Sequence, residues 1–136
     1  MRPILPVIAA ALLGSATPAA LAQPFTLLIF EAPDQVALRG DTTSAGQAYW
    51  KAYGDFAVAA KEAGILRGGS ALHSEPQVMT MKNGQARELA SPPLQLTGYF
   101  QIDVSDRIAA LDWAARLPAA TSGTVEIRQG YPAPGM

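Results

Sequence analysis

Residues 25–30 read Phe-Thr-Leu-Leu-Ile-Phe, so both alternating faces of one short segment are apolar. A strand with one face in water alternates apolar with polar; this pattern asks for cover on both sides. The segment therefore reads as a central strand. Helices should lie against one face, and further protein against the other.

The rest of the chain supplies that cover in a definite order. A polar connection, Glu31 to Thr43, carries Pro33, Asp34, Gly40 and Asp41. Tyr49, Tyr53, Phe56 or Ala57, and Ala60 then recur at helical spacing, which predicts a helix over 44–63 with Trp50 off the apolar line. Ser44 and Gln47 have capping-box spacing, and Gly64 suits the left-handed residue that ends a helix. Ile65 to Leu72 reads as a second strand, weakened by Gly68-Gly69. Asn83-Gly84 lies between two short strands, 78–81 and 85–89, and is a hairpin signal. Ser91-Pro92-Pro93 is a stiff loop. Residues 98–104 form a strand of period two, with Phe100, Ile102 and Val104 on one side and Tyr99, Gln101 and Asp103 on the other. A second helix is expected from Ser105 or Asp106 to Leu117, burying Ile108, Leu111 and Ala115 and ended by Pro118. Thr124 to Arg128 is the last strand, with Val125 and Ile127 inward. Strand, helix, strand, inserted hairpin, strand, helix, strand is the order of a ferredoxin-like α+β fold. Its two split βαβ halves place two helices on one face of an antiparallel sheet.

Residues 1–22 stand apart. Arg2, the apolar run from Ile4 to Leu13 and Ala20-Leu21-Ala22 have the pattern of a secretory signal peptide, with cleavage expected before Gln23. The run is short for a permanent membrane anchor. Residues 23–136 then form one domain, exported to the periplasm or medium. Ten basic and eleven acidic residues are scattered along the chain, for a formal charge of −1, with no basic stripe. That distribution argues against nucleic-acid binding. There is no cysteine, so disulfides, thiolate metal sites and a lipid-modified cysteine are excluded.

The mature chain resembles the YCII-related domain family, in particular its Asp-Gly-Pro-Phe branch. The matching pieces run in order: Leu27-Leu28-Ile29-Phe30-Glu31; Ala63-Gly64-Ile65-Leu66, Gly68-Gly69 and Ala71-Leu72; Gln95 to Phe100; Trp113 to Pro118; and Gly123 to Arg128. The resemblance implies a ferredoxin-like fold of the dimeric α/β-barrel type, in which the open sheet faces of two subunits meet. It implies a biochemical role that is largely unassigned, with enzymatic activity suspected from a polar pocket. The eponymous motif is missing: Ala90-Ser91-Pro92-Pro93-Leu94-Gln95-Leu96-Thr97 stands there, shorter and uncharged. A histidine some members carry at the start of the first helix is replaced by Ala48-Tyr49-Trp50. Relatives are expected to be cytoplasmic, so the leader is a further departure.

Few side chains point to chemistry. His73 is the single histidine, the residue type most often used as a general base near neutral pH, though a solvated turn position explains it as well. Glu126 and Arg128 lie two apart on one strand face, as do Tyr99 and Gln101 on another. All four are expected on the face opposite the helices, where Arg67 could join them. They would line a polar ligand pocket or form a dimer-interface network. Met79 and Met81 read as packing. Tyr49, Trp50 and Tyr53 could stack on an aromatic ligand, although helix core explains them too. No metal-ligand spacing, nucleophile elbow or phosphate loop is present, and no cofactor is expected. Two functions stay open. One is a homodimeric small-molecule-binding or interaction module. The other is a cofactor-free enzyme acting on a small polar or aromatic metabolite on the open sheet face.

Overall fold

A computed structural model describes residues 21–74, 78–88 and 93–135. The expected signal segment lies outside the described residues, except for exposed Leu21 and Ala22. Residues 89–92, within the expected hairpin end and proline loop, also lie outside them.

The fold is α+β. Strands β1 (Gln23–Glu31), β2 (Leu66–Ala71), β5 (Gln95–Val104) and β6 (Thr124–Gln129) form a four-stranded antiparallel sheet in the order β2-β5-β1-β6. Strands β3 (Met79–Lys82) and β4 (Gln85–Glu88) form a separate hairpin. This order is compatible with a ferredoxin-like arrangement. Helix α2 (Ser44–Glu62) and helix α3 (Arg107–Ala114) pack on one sheet face, enclosing Phe25, Leu27, Ile29, Ile102 and Val104.

The first strand is central, as its apolar run requires, and Leu27 is fully buried. Its alternate residues Leu28 and Phe30 lie on the opposite face and are half-buried. Helix α2 buries Tyr49, Tyr53, Phe56 and Ala60 and leaves Trp50 exposed, the stripe its spacing predicts. Gly64 follows with φ 73°, a conformation that costs a glycine little.

Several expectations are corrected. The cap of α2 is Thr43, not Ser44: Thr43 Oγ1 accepts from the Ala45 amide at 3.4 Å. The 31–43 connection is not irregular. It holds a short helix, α1 (Pro33–Ala37), with proline where its missing N–H costs nothing, followed by a 3-10 turn over Leu38–Gly40. The second helix stops at Ala114, and Pro118 opens a further turn, α4 (Ala119–Ser122), instead of only ending a helix. Ile108, Leu111 and Ala115 are exposed; Ala110, Ala114 and Leu117 are buried. The helix presents alanines to the sheet, while Phe56 packs with Phe100 and Trp113 at centroid distances of 4.8 and 6.0 Å. Small contacts on α3 leave room for those rings. The larger Ile108 and Leu111 turn outward.

Candidate functional site

The register of the sheet explains where space is left. One inward row runs Ile127–Leu27–Phe100–Gly69, and the next runs Val125–Ile29–Gly98–Ala71. The β6 and β1 side of the sheet therefore carries branched side chains, while the β5 and β2 side carries two glycines and an alanine beside Phe100. Helix α2 crosses above this half, and at Gly54 it too lacks a side chain. The result is a cleft of about 310 Å3 between α2 and the sheet, walled by Ile29, Phe100, Trp50 and the small residues.

Its polar end is built around Glu31, the last residue of β1. Glu31 continues the inward parity of Phe25, Leu27 and Ile29, so its carboxylate enters the core and is 1% exposed. Three hydroxyls converge on it. Tyr49 donates to Oε1 at 2.7 Å, Thr97 donates to Oε1 at 2.6 Å, and Tyr53 donates to Oε2 at 3.0 Å. Thr97 reaches the carboxylate because of a bulge. Ile29 pairs with Gly98 and Phe30 with Leu96, so Thr97 is the extra residue of β5 and turns into the core.

Arg39 closes the end of the cleft. Its Nη2 lies 3.7 Å from Glu31 Oε1. Its Nε donates to the Tyr49 hydroxyl at 3.0 Å, and Nη1 and Nη2 donate to the carbonyls of Leu72 and Thr97 at 2.6 and 2.5 Å. The guanidinium also sits 5.7 Å from the Trp50 ring and 6.0 Å from that of Tyr49. Trp50 Nε1 in turn donates to the Arg39 carbonyl at 3.2 Å. Arg39 thereby ties the 3-10 turn to α2, β2 and β5.

Burial pushes the Tyr49 phenol up to about 12, with the Arg39 hydrogen bond opposing and Glu31 reinforcing the rise. Burial pushes the Tyr53 phenol up as well, and the Glu31 charge adds to it. Both phenols are neutral donors across the physiological range. An ionised carboxylate accepts and does not donate, which suits the three hydroxyls around Glu31.

The residues expected from sequence lie elsewhere. Tyr99, Glu126, Gln101 and Arg128 are on the opposite sheet face, as their spacing predicts: Leu28 pairs with Tyr99 and Glu126, and Thr26 with Gln101 and Arg128. Arg128 pairs with Glu126 at 2.6 Å on the exposed surface. Arg67 pairs with Asp103 at 2.7 Å. None of the six lines the cleft around Glu31. His73 is exposed and lines a second cleft of about 410 Å3 that shares Arg39, Trp50 and Ala71 with the first. Its ring has no hydrogen-bond partner among the described residues. Nor, among them, is any group of three or more His, Asp or Glu side chains placed to hold a metal ion.

Glu31, Arg39 and Thr97 are functional candidates that sequence reasoning passes over. Glu31 had one legible signal, a charge at the inward parity of an otherwise apolar strand. Arg39 sits in a connection whose path the sequence does not fix, and the bulge that turns Thr97 inward has no sequence mark. Comparison with known proteins gives no match, either to a protein-family model or to a curated protein sequence.

Proposed function

We propose that this chain is a small-molecule-binding module whose site is the cleft between α2 and the glycine-lined half of the sheet. One observation carries the reading: a mostly apolar cleft of about 310 Å3 ends on a buried carboxylate, with a guanidinium and two phenols fixed around it. Ligand sites have this composition, an apolar wall with a few convergent polar groups. The alternative, a cofactor-free enzyme, has less behind it. Glu31 is occupied by three hydroxyl donors, an arrangement for holding geometry more than for moving protons, and His73 stands outside this cleft.

Gly54 provides the test. Inside a helix, glycine is destabilising by roughly 0.5–1 kcal/mol relative to alanine. A Cβ placed there meets nothing within 4 Å. Gly54→Ala should therefore stabilise the protein by about that amount, and Gly54→Leu should keep the fold while filling the cleft. A panel of aromatic fragments titrated into the protein by NMR should move the amides of Gly54, Gly69 and Gly98. The leucine variant should lose that response. Fragment responses confined to the opposite sheet face would refute the assignment.

The finer architecture and setting belong to the same proposal. The strand order supports a ferredoxin-like fold, and the ordered sequence pieces support membership of the YCII-related family. The apolar side of β1 away from the helices supports a homodimer through the open sheet face. The charged start, apolar run and Ala20-Leu21-Ala22 support export with a mature terminus at Gln23, which mass spectrometry of protein from the periplasm or medium would reveal.

A further inference from the structure

We infer that the cleft around Glu31 selects a neutral aromatic molecule bearing an O–H or N–H donor. This inference rests on the ligand-binding reading above and adds the chemical class. The hydroxyl protons at the polar end are already committed. The hydroxyls of Tyr49, Tyr53 and Thr97 each have one proton, and each donates it to Glu31. What these hydroxyls can still offer a ligand is lone pairs. Glu31 Oε1 takes two of the three donors and lies nearest Arg39, whereas Oε2 takes only Tyr53 among the described residues. A carboxylate oxygen has room for a second donor. The free capacity of the hydroxyls and of Glu31 is therefore an acceptor's, and a ligand held by them must bring the proton.

Charge narrows the class further. An aromatic-lined end with a buried carboxylate would ordinarily suit an organic ammonium. Here Arg39 already stands over Trp50 and Tyr49 and neutralises Glu31, so a second cation would meet its repulsion. An anion fares no better. Arg39 spends three of its five N–H protons on Tyr49 and two backbone carbonyls, and an anion drawn to the other two would face the adjacent Glu31 charge. The walls are largely apolar, with the Trp50 ring and Gly54 on the helix side and Phe100, Gly69, Gly98 and Ala71 on the sheet side. A planar ring with a single donor, of the phenol or indole kind, satisfies all of these conditions.

The test uses four probes of similar size: phenol, toluene, benzoate and benzylamine, titrated at neutral pH and followed by NMR shifts of the cleft amides and by Trp50 fluorescence. A donor to a charged acceptor adds roughly ten- to a hundredfold in affinity. Phenol should bind tighter than toluene by at least about tenfold, with benzoate and benzylamine weaker than phenol. Gly54→Leu should remove the phenol response with the fold unchanged by circular dichroism. Toluene equal to phenol, or benzoate or benzylamine ahead of it, would overturn the donor class and leave the ligand-binding reading standing. Absence of any cleft response from all four would overturn both. Phenol binding that survives in Gly54→Leu would show that the cleft is not the site.

Discussion

Glu31 sets the terms at the level of single residues. A carboxylate 1% exposed is tolerated in a core only when its oxygens are occupied, and the two tyrosines and Thr97 occupy them. Tyr53→Phe removes one donor to a buried charge and should cost about 1.5–3 kcal/mol in urea denaturation. The raised phenols make a second prediction, about alkali. In the unfolded chain both tyrosines return to about 10. Above that pH the unfolded state loses phenolic protons that the native state keeps. It then binds fewer protons, so stability falls as pH rises. The tyrosine contribution is complete below about pH 10 and, for Tyr49, is lost as pH climbs towards 12. Tyr49→Phe should flatten the loss of stability over that window, and native phenolate absorbance should lag that of the unfolded chain. An unchanged alkaline slope in the variant would contradict the assignment. At this scale the sequence was legible only in part. Tyr49 and Tyr53 declared themselves by helical spacing; Glu31 carried a strand-parity signal but reads first as the start of the polar connection. Arg39 and Thr97 depend on a 3-10 turn and a bulge, where a shift of one residue decides which way a side chain points.

Among the elements, legibility followed the size of the buried residues. Helix α2 buries aromatic side chains, so its stripe was readable. Helix α3 buries Ala110 and Ala114, which hydrophobicity barely distinguishes from surface alanines, and the eye follows Ile108 and Leu111 instead. The error has a measurable consequence. Leu111, 49% exposed, should tolerate alanine within about 0.5 kcal/mol. Ile102, fully buried, should lose about 2–5 kcal/mol on the same change. Equal costs would put α3 in the register first expected from the sequence. The same helix has one strong local anchor. Asp106 Oδ1 accepts from the Ala109 amide at 2.8 Å, and Asp106→Ala should destabilise by about 0.5–2 kcal/mol. The Asn83-Gly84 turn was also legible, since both residues take positive φ in the observed hairpin.

For the whole molecule, the unresolved demand of the first strand is what covers its second face. Leu28 and Phe30 lie there beside Tyr99, and all three are half-buried, while the described helices α2 and α3 pack on the other side. One candidate cover within the chain was the β3–β4 hairpin. Residues 79–87 are exposed throughout, including Met79 at 58% and Met81 at 69%, and the two strands pair with each other in a sheet of their own. The hairpin's described residues thus do not blanket the sheet. Single chains seldom leave a contiguous apolar patch in water, and a twofold partner covers such a patch with a copy of itself. In that dimer Leu28 and Phe30 would form the apolar centre, with Glu126 and Arg128 at its border. Phe30→Asp then has a distinctive outcome. Sedimentation should show a dimer for the wild type and a folded monomer, or a much weaker dimer, for the variant. Because Phe30 faces away from the cleft, phenol titration should be unchanged in that monomer. General unfolding of Phe30→Asp would mean the face is internal core. A wild-type protein that stays monomeric at high concentration would remove the dimer altogether.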